Sequence, residues 1–146
     1  MAAKRPGETF IPFILKMEKE YNLPANYLYR LAYTESKFSP DVITGKKRSK
    51  TGATGIAQLM PVHFSQVDPL NPWAALRYAA KYLASNFKRF NNWDLALAGY
   101  NWGGGNVSKN LKANNGNIPV TISKMPLETR NYITLIAKNP VVENIA

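Results

Sequence analysis

Apolar residues recur at steps of three and four through most of the chain, a pattern that predicts short helices and little β-sheet. A first helix is expected from about residue 9 to residue 20, with Thr9 as its N-cap and Phe10, Phe13, Ile14, Met17 and Tyr21 on one side. The second opens with Pro24 in its first turn, runs through ANYLYRLAYTESKF and is closed by Ser39 and Pro40. Asn71 and Pro72 open a long third helix, with Trp73, Leu76, Ala80, Leu83 and Phe87 on its apolar stripe and Lys88 and Arg89 at its end. Asn92 caps WDLALAGYN, which ends at Gly103, Gly104 and Gly105. The last helix runs from about Pro126 through ETRNYITLIA and stops before Pro140. A short pairing between Asn117 and Ile122 is the one strand signal. The expected fold is mostly α, a single domain over residues 1–146 with helices of modest length around one cleft.

One position breaks the pattern. Leu28, Leu31 and residue 35 form a row on the second helix, and residue 35 is Glu35. An ionised carboxylate on an apolar face carries a desolvation cost unless it is paired or its pKa is raised. Two explanations stand open. Glu35 is paired with Arg30 or Lys37, or it is held partly protonated, which is what a general acid needs.

The other eight acidic residues have ordinary places. Glu8, Glu18 and Glu20 fall at the start or on the polar side of the first helix, and Asp41 and Asp68 fall in loops. Asp94 and Glu128 favour a helix dipole from first turns, and Glu143 is in the tail.

Composition narrows the chemistry. At 146 residues and 45% hydrophobic content the chain is long enough to bury a core, and with no cysteine it has no disulfide, thiol nucleophile or thiolate metal site. His63 is the single histidine and has no HExxH partner, so neither a metal site nor a Ser-His triad is expected. No cofactor is implied. Charges and a proline break the apolar run near the start, so no secretory signal is expected, and no window reaches the roughly 20 apolar residues of a membrane span. The net charge of +10 predicts attraction to polyanions: nucleic acid, anionic lipid or acidic wall polymer. Four of the positive residues lie in GKKRSKTG, read as a solvated loop.

Three further stretches carry chemistry. Ser36 follows Glu35 and has a hydroxyl within reach of a carboxyl or a ligand. GATGIAQLMP sets Gln58 in a glycine-rich, otherwise apolar turn. GYNWGGG puts Tyr100, Asn101 and Trp102 before glycines that let a long ligand approach the backbone. An aromatic beside an amide suits a sugar ring, although Trp102 suits a core equally well.

The ordered set of Glu35-Ser36, GIAQ at 55–58 followed by LMP, GYNWG at 99–103 and ETRNY at 128–132 resembles the lysozyme-like catalytic domain of soluble-type lytic transglycosylases. In fold these also resemble goose-type lysozymes. The resemblance spans about residues 20–138. It implies that Glu35 is the single catalytic acid and base, that Ser36 steers the substrate or the carboxyl, and that Gln58 and Met60 line a glycan groove. It further implies that Tyr100 and Asn101 contact the sugar at the cleavage point and that Tyr132 orients Glu35. One departure is Ala57, where the family often has methionine. The implied substrate is peptidoglycan, cut between N-acetylmuramic acid and N-acetylglucosamine with formation of a 1,6-anhydro end. The implied enzyme is monomeric, needs no nucleic acid or membrane insertion, and resembles a phage endolysin or virion lysin delivered to the wall in the periplasm.

Two rival readings remain. In the first, a hydrolytic lysozyme cuts the same bond with Asp41 or Asp68 activating water, since an ordinary glycosidase uses two carboxyl groups about 5–9 Å apart. In the second, a basic helical module binds wall polymer or nucleic acid without catalysis.

Overall fold

The computed structural model describes residues 5–138. Pro140 and Glu143, named above, lie outside the described residues. Within them the chain forms two compact units, one extending to Lys81 and the other starting at Tyr82.

The first unit begins with a 3-10 turn, Glu8–Phe10, that leads into α1 (Ile11–Glu20). Thr9 is therefore not the cap; Gly7, left-handed at φ 68°, turns the chain into the 3-10 segment. Ile11, Ile14 and Met17 are buried along α1. Next comes α2 (Tyr27–Ser36), with Leu28, Leu31 and Ala32 wholly buried. Pro24 precedes α2 rather than occupying its first turn, because Asn26 at φ 72° is its N-cap. The helix also ends before Ser39: Lys37 and Phe38 both take left-handed backbone at φ 54°. Ser39 and Pro40 instead open a short α3 (Pro40–Ile43), so Asp41 stands in a helical first turn and not in a loop. The basic residues 46–50 are all exposed, as a solvated loop requires. A 3-10 turn at Pro61–His63 and the first half of α4 (Pro72–Phe90) complete this unit. As expected, Asn71 caps α4, its Oδ1 accepting the Ala74 N–H at 3.1 Å.

Leu76, Ala80 and Leu83 on α4 are fully buried, but Trp73 is 42% exposed. Its ring lies 4.8 Å from Phe10 and 5.5 Å from Phe13, so it covers α1 at the surface instead of entering the core. Each fully buried leucine side chain contributes about 1.5–3 kcal/mol.

The second unit holds the rest of α4 with α5 (Trp93–Trp102), α6 (Gly104–Ala113), α7 (Ile118–Ser123) and α8 (Leu127–Ala137). Asn92 caps α5 by accepting the Leu95 N–H at 2.9 Å. Gly103, at φ 95°, ends α5, yet Gly104 and Gly105 are the first turn of α6 and not a terminating loop. The expected pairing between Asn117 and Ile122 is replaced by α7. There Asn117 accepts the Val120 N–H at 3.0 Å, Pro119 fits the first turn, and Thr121 Oγ1 donates back to the Asn117 carbonyl. Among the described residues the one β feature is an isolated bridge between Thr54 and Leu59, so the fold is mostly α as expected.

Candidate functional site

Glu35 occupies the last turn of α2 and is half-buried. The position of α2 is set at both ends. At its start Asn26 makes no side-chain cap. Glu18 of α1, expected on a polar face, is instead 5% exposed and accepts the N–H groups of Asn26 at 3.2 Å, Leu28 at 2.9 Å and Tyr29 at 3.3 Å. A carboxylate from the neighbouring helix thus satisfies donors that a helix N-terminus leaves open. Periodicity failed to separate Glu18 from its exposed neighbours Lys19 and Glu20, although its place directly after buried Met17 was a usable signal.

At the other end Ser36 is buried, its hydroxyl donating to the Ala32 carbonyl at 2.9 Å and accepting the Phe38 N–H at 3.2 Å. A serine hydroxyl has one proton to donate. Here it is given to backbone, so Ser36 shapes the turn that ends α2 directly after Glu35. Phe38 then packs on Tyr29 at 5.4 Å and Phe10 at 6.3 Å, which closes the turn against α1 and α2.

Gln58 and Met60 belong to the same unit. The bridge between Thr54 and Leu59, with N···O distances of 3.0 and 3.1 Å, closes a loop whose four residues are Gly55 to Gln58. Gly55 has φ 85°, and a Cβ there would overlap the Pro69 carbonyl oxygen, so the loop accepts glycine alone. Ile56 and Ala57 plug the interior with no exposure, which accounts for a small residue at position 57. Gln58 takes left-handed backbone at φ 48° and donates from Nε2 to the Gly55 carbonyl at 3.0 Å, which keeps its amide oxygen available to a ligand. Met60 is 41% exposed, with its sulfur near the Thr51 hydroxyl. Gln58 therefore offers an amide and Met60 a pliable apolar surface.

Tyr100, Asn101 and Tyr132 lie in the second unit, and there the structure brings them together with two residues the sequence reading missed. The Tyr100 ring stacks on Tyr132 at 6.4 Å with 11° between planes, and Tyr82 of α4 tilts against Tyr100 at 5.5 Å. Tyr132 is 4% exposed, whereas Tyr100 and Asn101 are half-exposed. Thr129, 1% exposed, donates from its hydroxyl to Asn101 Oδ1 at 2.9 Å. That bond fixes the Asn101 amide with its NH2 group turned away from Thr129 and able to donate. Thr129 belongs to the quoted ETRNY stretch, so a signal for it existed. Tyr82 follows buried Ala79 and Ala80 and had none beyond its helix. Trp102 is half-exposed at the end of α5, neither wholly core nor free of it.

Asp68, the rival base, is exposed and accepts the Leu70 N–H at 2.9 Å, the geometry of an Asx turn. Asp41, the other, is exposed at the start of α3. No group of three or more metal-ligating side chains occurs among the described residues, and none of their helices is long and apolar enough to cross a membrane.

A family model described as the transglycosylase SLT domain matches residues 12–119, a span that contains Glu35, Ser36, Gln58, Met60, Tyr100 and Asn101 but not Tyr132. The fold is similar to that of an inactive glutamate-to-glutamine mutant of the lytic transglycosylase Slt from Pseudomonas aeruginosa, with TM-score 0.71 and 27% identity over 90% of this chain and 23% of that one. It is also similar to the 70 kDa soluble lytic transglycosylase Slt70 from Escherichia coli, with TM-score 0.68 and 25% identity over 86% of this chain and 22% of that one. The chain thus spans under a quarter of the length of these two proteins.

Proposed function

The chain belongs to the transglycosylase SLT domain family, and from that premise we propose that it is a peptidoglycan lytic transglycosylase with Glu35 as its one catalytic acid and base. The observation that carries the reading is the setting of Glu35: a half-buried carboxyl on the last turn of a helix that Glu18 secures at one end and Ser36 turns at the other. An inactive form of one structural relative differs by a glutamate-to-glutamine change, which supports a glutamate as the decisive group.

In this mechanism Glu35 protonates the glycosidic oxygen between N-acetylmuramic acid and N-acetylglucosamine while the substrate's acetamido oxygen attacks the anomeric carbon. Glu35, now a carboxylate, takes the proton of the muramic C6 hydroxyl, and that oxygen attacks the anomeric carbon, breaking its bond to the acetamido oxygen and closing a 1,6-anhydro ring. No water is consumed and no second carboxylate is needed, which suits a chain whose Asp68 is engaged by backbone. Gln58, Met60 and the amide of Asn101 supply contacts for the glycan, and the net charge of +10 favours a wall rich in carboxylate and phosphate.

Digestion of purified sacculi tests the proposal. Wild type is expected to release muropeptides ending in 1,6-anhydromuramic acid, and Glu35→Gln to lose about 10²–10⁴-fold in rate, the usual worth of a general acid and base. Reducing muramic ends without anhydro ends would establish a hydrolase instead. Binding to sacculi with no release of muropeptide would leave a binding module.

A further inference from the structure

The basic loop after α3 has no part in the proposed reaction. Lys46, Lys47, Arg48 and Lys50 are exposed, and none of them makes an ion pair among the described residues. Two acidic residues border the loop: Asp41 gives its backbone carbonyl to the Lys47 N–H at 2.9 Å, and Asp68 shares the wall of a concavity with Arg48. Neither carboxylate pairs with a cation of the loop. The chain here is nevertheless pinned, because Arg48 Nε donates to the Gly45 carbonyl at 3.4 Å, the Ser49 N–H to the Ala53 carbonyl at 3.2 Å, and the Ala53 N–H to Ser49 Oγ at 2.9 Å. Bonds already made within the turns thus hold a cluster of like charges close together, and their repulsion is left unanswered.

Beside this loop stands a run of exposed apolar residues. Met60 is 41% exposed and Val62 77%, with exposed Pro61 between them. Apolar residues scattered singly are ordinary on a surface, whereas three in succession call for a reason. The run is held rigidly: the His63 N–H donates to the Met60 carbonyl at 2.9 Å, the Phe64 N–H to the Pro61 carbonyl at 3.0 Å, and His63 Nδ1 lies 2.7 Å from Tyr78 Oη. Loop and run are contiguous, since Thr51 Oγ1 lies 3.9 Å from Met60 Sδ and a Cβ on Gly52 would stand 3.0 Å from Pro61 Cγ. Cations next to exposed apolar side chains suit an interface where anionic groups lie over hydrocarbon. A hydrated phosphodiester polymer answers the charges but leaves Pro61 and Val62 in water. A single nucleic-acid strand calls for aromatic side chains under its bases, and GKKRSKTG contains none.

We propose that residues 46–50 and 60–62 together dock the first unit on an anionic lipid surface, with the four cations at the phosphate headgroups and Val62 set among them, as a surface contact rather than a span. Met60 also borders the glycan groove of the proposed reaction, so docking sets that groove beside the membrane. That consequence alone rests on the catalytic reading.

Vesicle sedimentation with the full chain tests it. Wild type is expected to pellet with vesicles of phosphatidylethanolamine and phosphatidylglycerol but not with vesicles of phosphatidylcholine, and added salt is expected to release it. Neutralising two charges together, Lys46→Gln with Lys47→Gln, is expected to weaken binding to the anionic vesicles about 30-fold. Val62→Ser is expected to weaken it about fivefold. All three positions are exposed, and thermal melts matching wild type show that the variants are folded. No binding to the anionic vesicles, or binding that the paired lysine variant leaves unchanged, overturns the proposal. Binding that the lysines control and Val62→Ser does not alter assigns the loop to polyanions in general and overturns the lipid surface as its partner. None of these readouts needs release of muropeptide, so a failure of the catalytic reading and a failure of this proposal are told apart.

Discussion

The Glu18 carboxylate accepts the Leu28 backbone N–H at 2.9 Å, so a side chain of α1 holds the first turn of the helix that ends in Glu35. Burial pushes the Glu18 carboxyl above its usual range, and the amides of Asn26, Tyr29 and Leu28 with the charge of Arg30 pull it back only in part. Glu18→Gln removes an acceptor that serves several amides and turns an NH2 group toward donors, so a loss of about 1–3 kcal/mol is expected in urea unfolding at neutral pH. The sign of the pH dependence follows from the raised pKa. An acid bound more tightly to its proton in the folded state contributes stability that is full below the unfolded value near 4.5 and is lost as pH rises through the folded one. The advantage of wild type over Glu18→Gln should therefore shrink from acid toward neutral pH; a gap that widens over that range would refute the assignment.

Gly55→Ala is expected to be among the most damaging single changes in the first unit. The backbone there is left-handed, and the added Cβ meets the Pro69 carbonyl, a backbone atom that cannot swing aside. A loss above about 3 kcal/mol is expected, since conformational strain and a steric clash act together. Gly105→Ala is the control: a Cβ there meets nothing within 4 Å, and in a helical first turn alanine is tolerated. Thermal melts of the two variants should separate widely.

The parts of the fold legible in the sequence were those with local signals. Asn71 and Asn92 are caps that act on their own next turn, and both sit where the pattern puts them. α6 was illegible because its glycine start and its Asn, Val and Ser residues are poor helix formers. It is held by side chains that the pattern does not weigh: Asn106, Asn110 and Asn114 each donate to the carbonyl four residues back, at 2.7, 2.8 and 2.7 Å, while Val107 is buried. The β-branched residues of α7 favour a strand locally, and the Asn117 cap with Pro119 in the first turn makes the segment a helix. At the site, Glu35 stood out as a pattern violation, but Glu18 did not. Its role depends on amides eight to eleven residues away, and no periodicity reports a bond of that kind.

His63 gives a second pH signature, of opposite sign. Burial lowers its pKa from 6.5, so the stability it contributes is full above about 6.5 and is lost as pH falls through the lowered value. The neutral ring places Nδ1 2.7 Å from Tyr78 Oη, within hydrogen-bond distance. His63→Gln should flatten this part of the profile between about pH 7 and pH 5, a change readable by chemical denaturation at the two ends of that range. An identical acid limb in wild type and variant would assign the loss to other groups.

Thr129→Val tests whether the buried hydroxyl serves the Asn101 amide or only fills space. Valine keeps the shape of threonine and deletes the donor to Asn101 Oδ1. Removing one buried hydrogen bond costs about 1 kcal/mol in stability, and the unsatisfied Asn101 oxygen is then free to turn its amide over. If Asn101 holds the sugar at the cleavage point, that freedom lowers turnover on sacculi by more than the melt alone accounts for. Thr129→Ser, which restores the donor, should recover most of the rate. A serine variant no faster than valine would show that the methyl group and its packing, rather than the hydrogen bond, are what position 129 supplies.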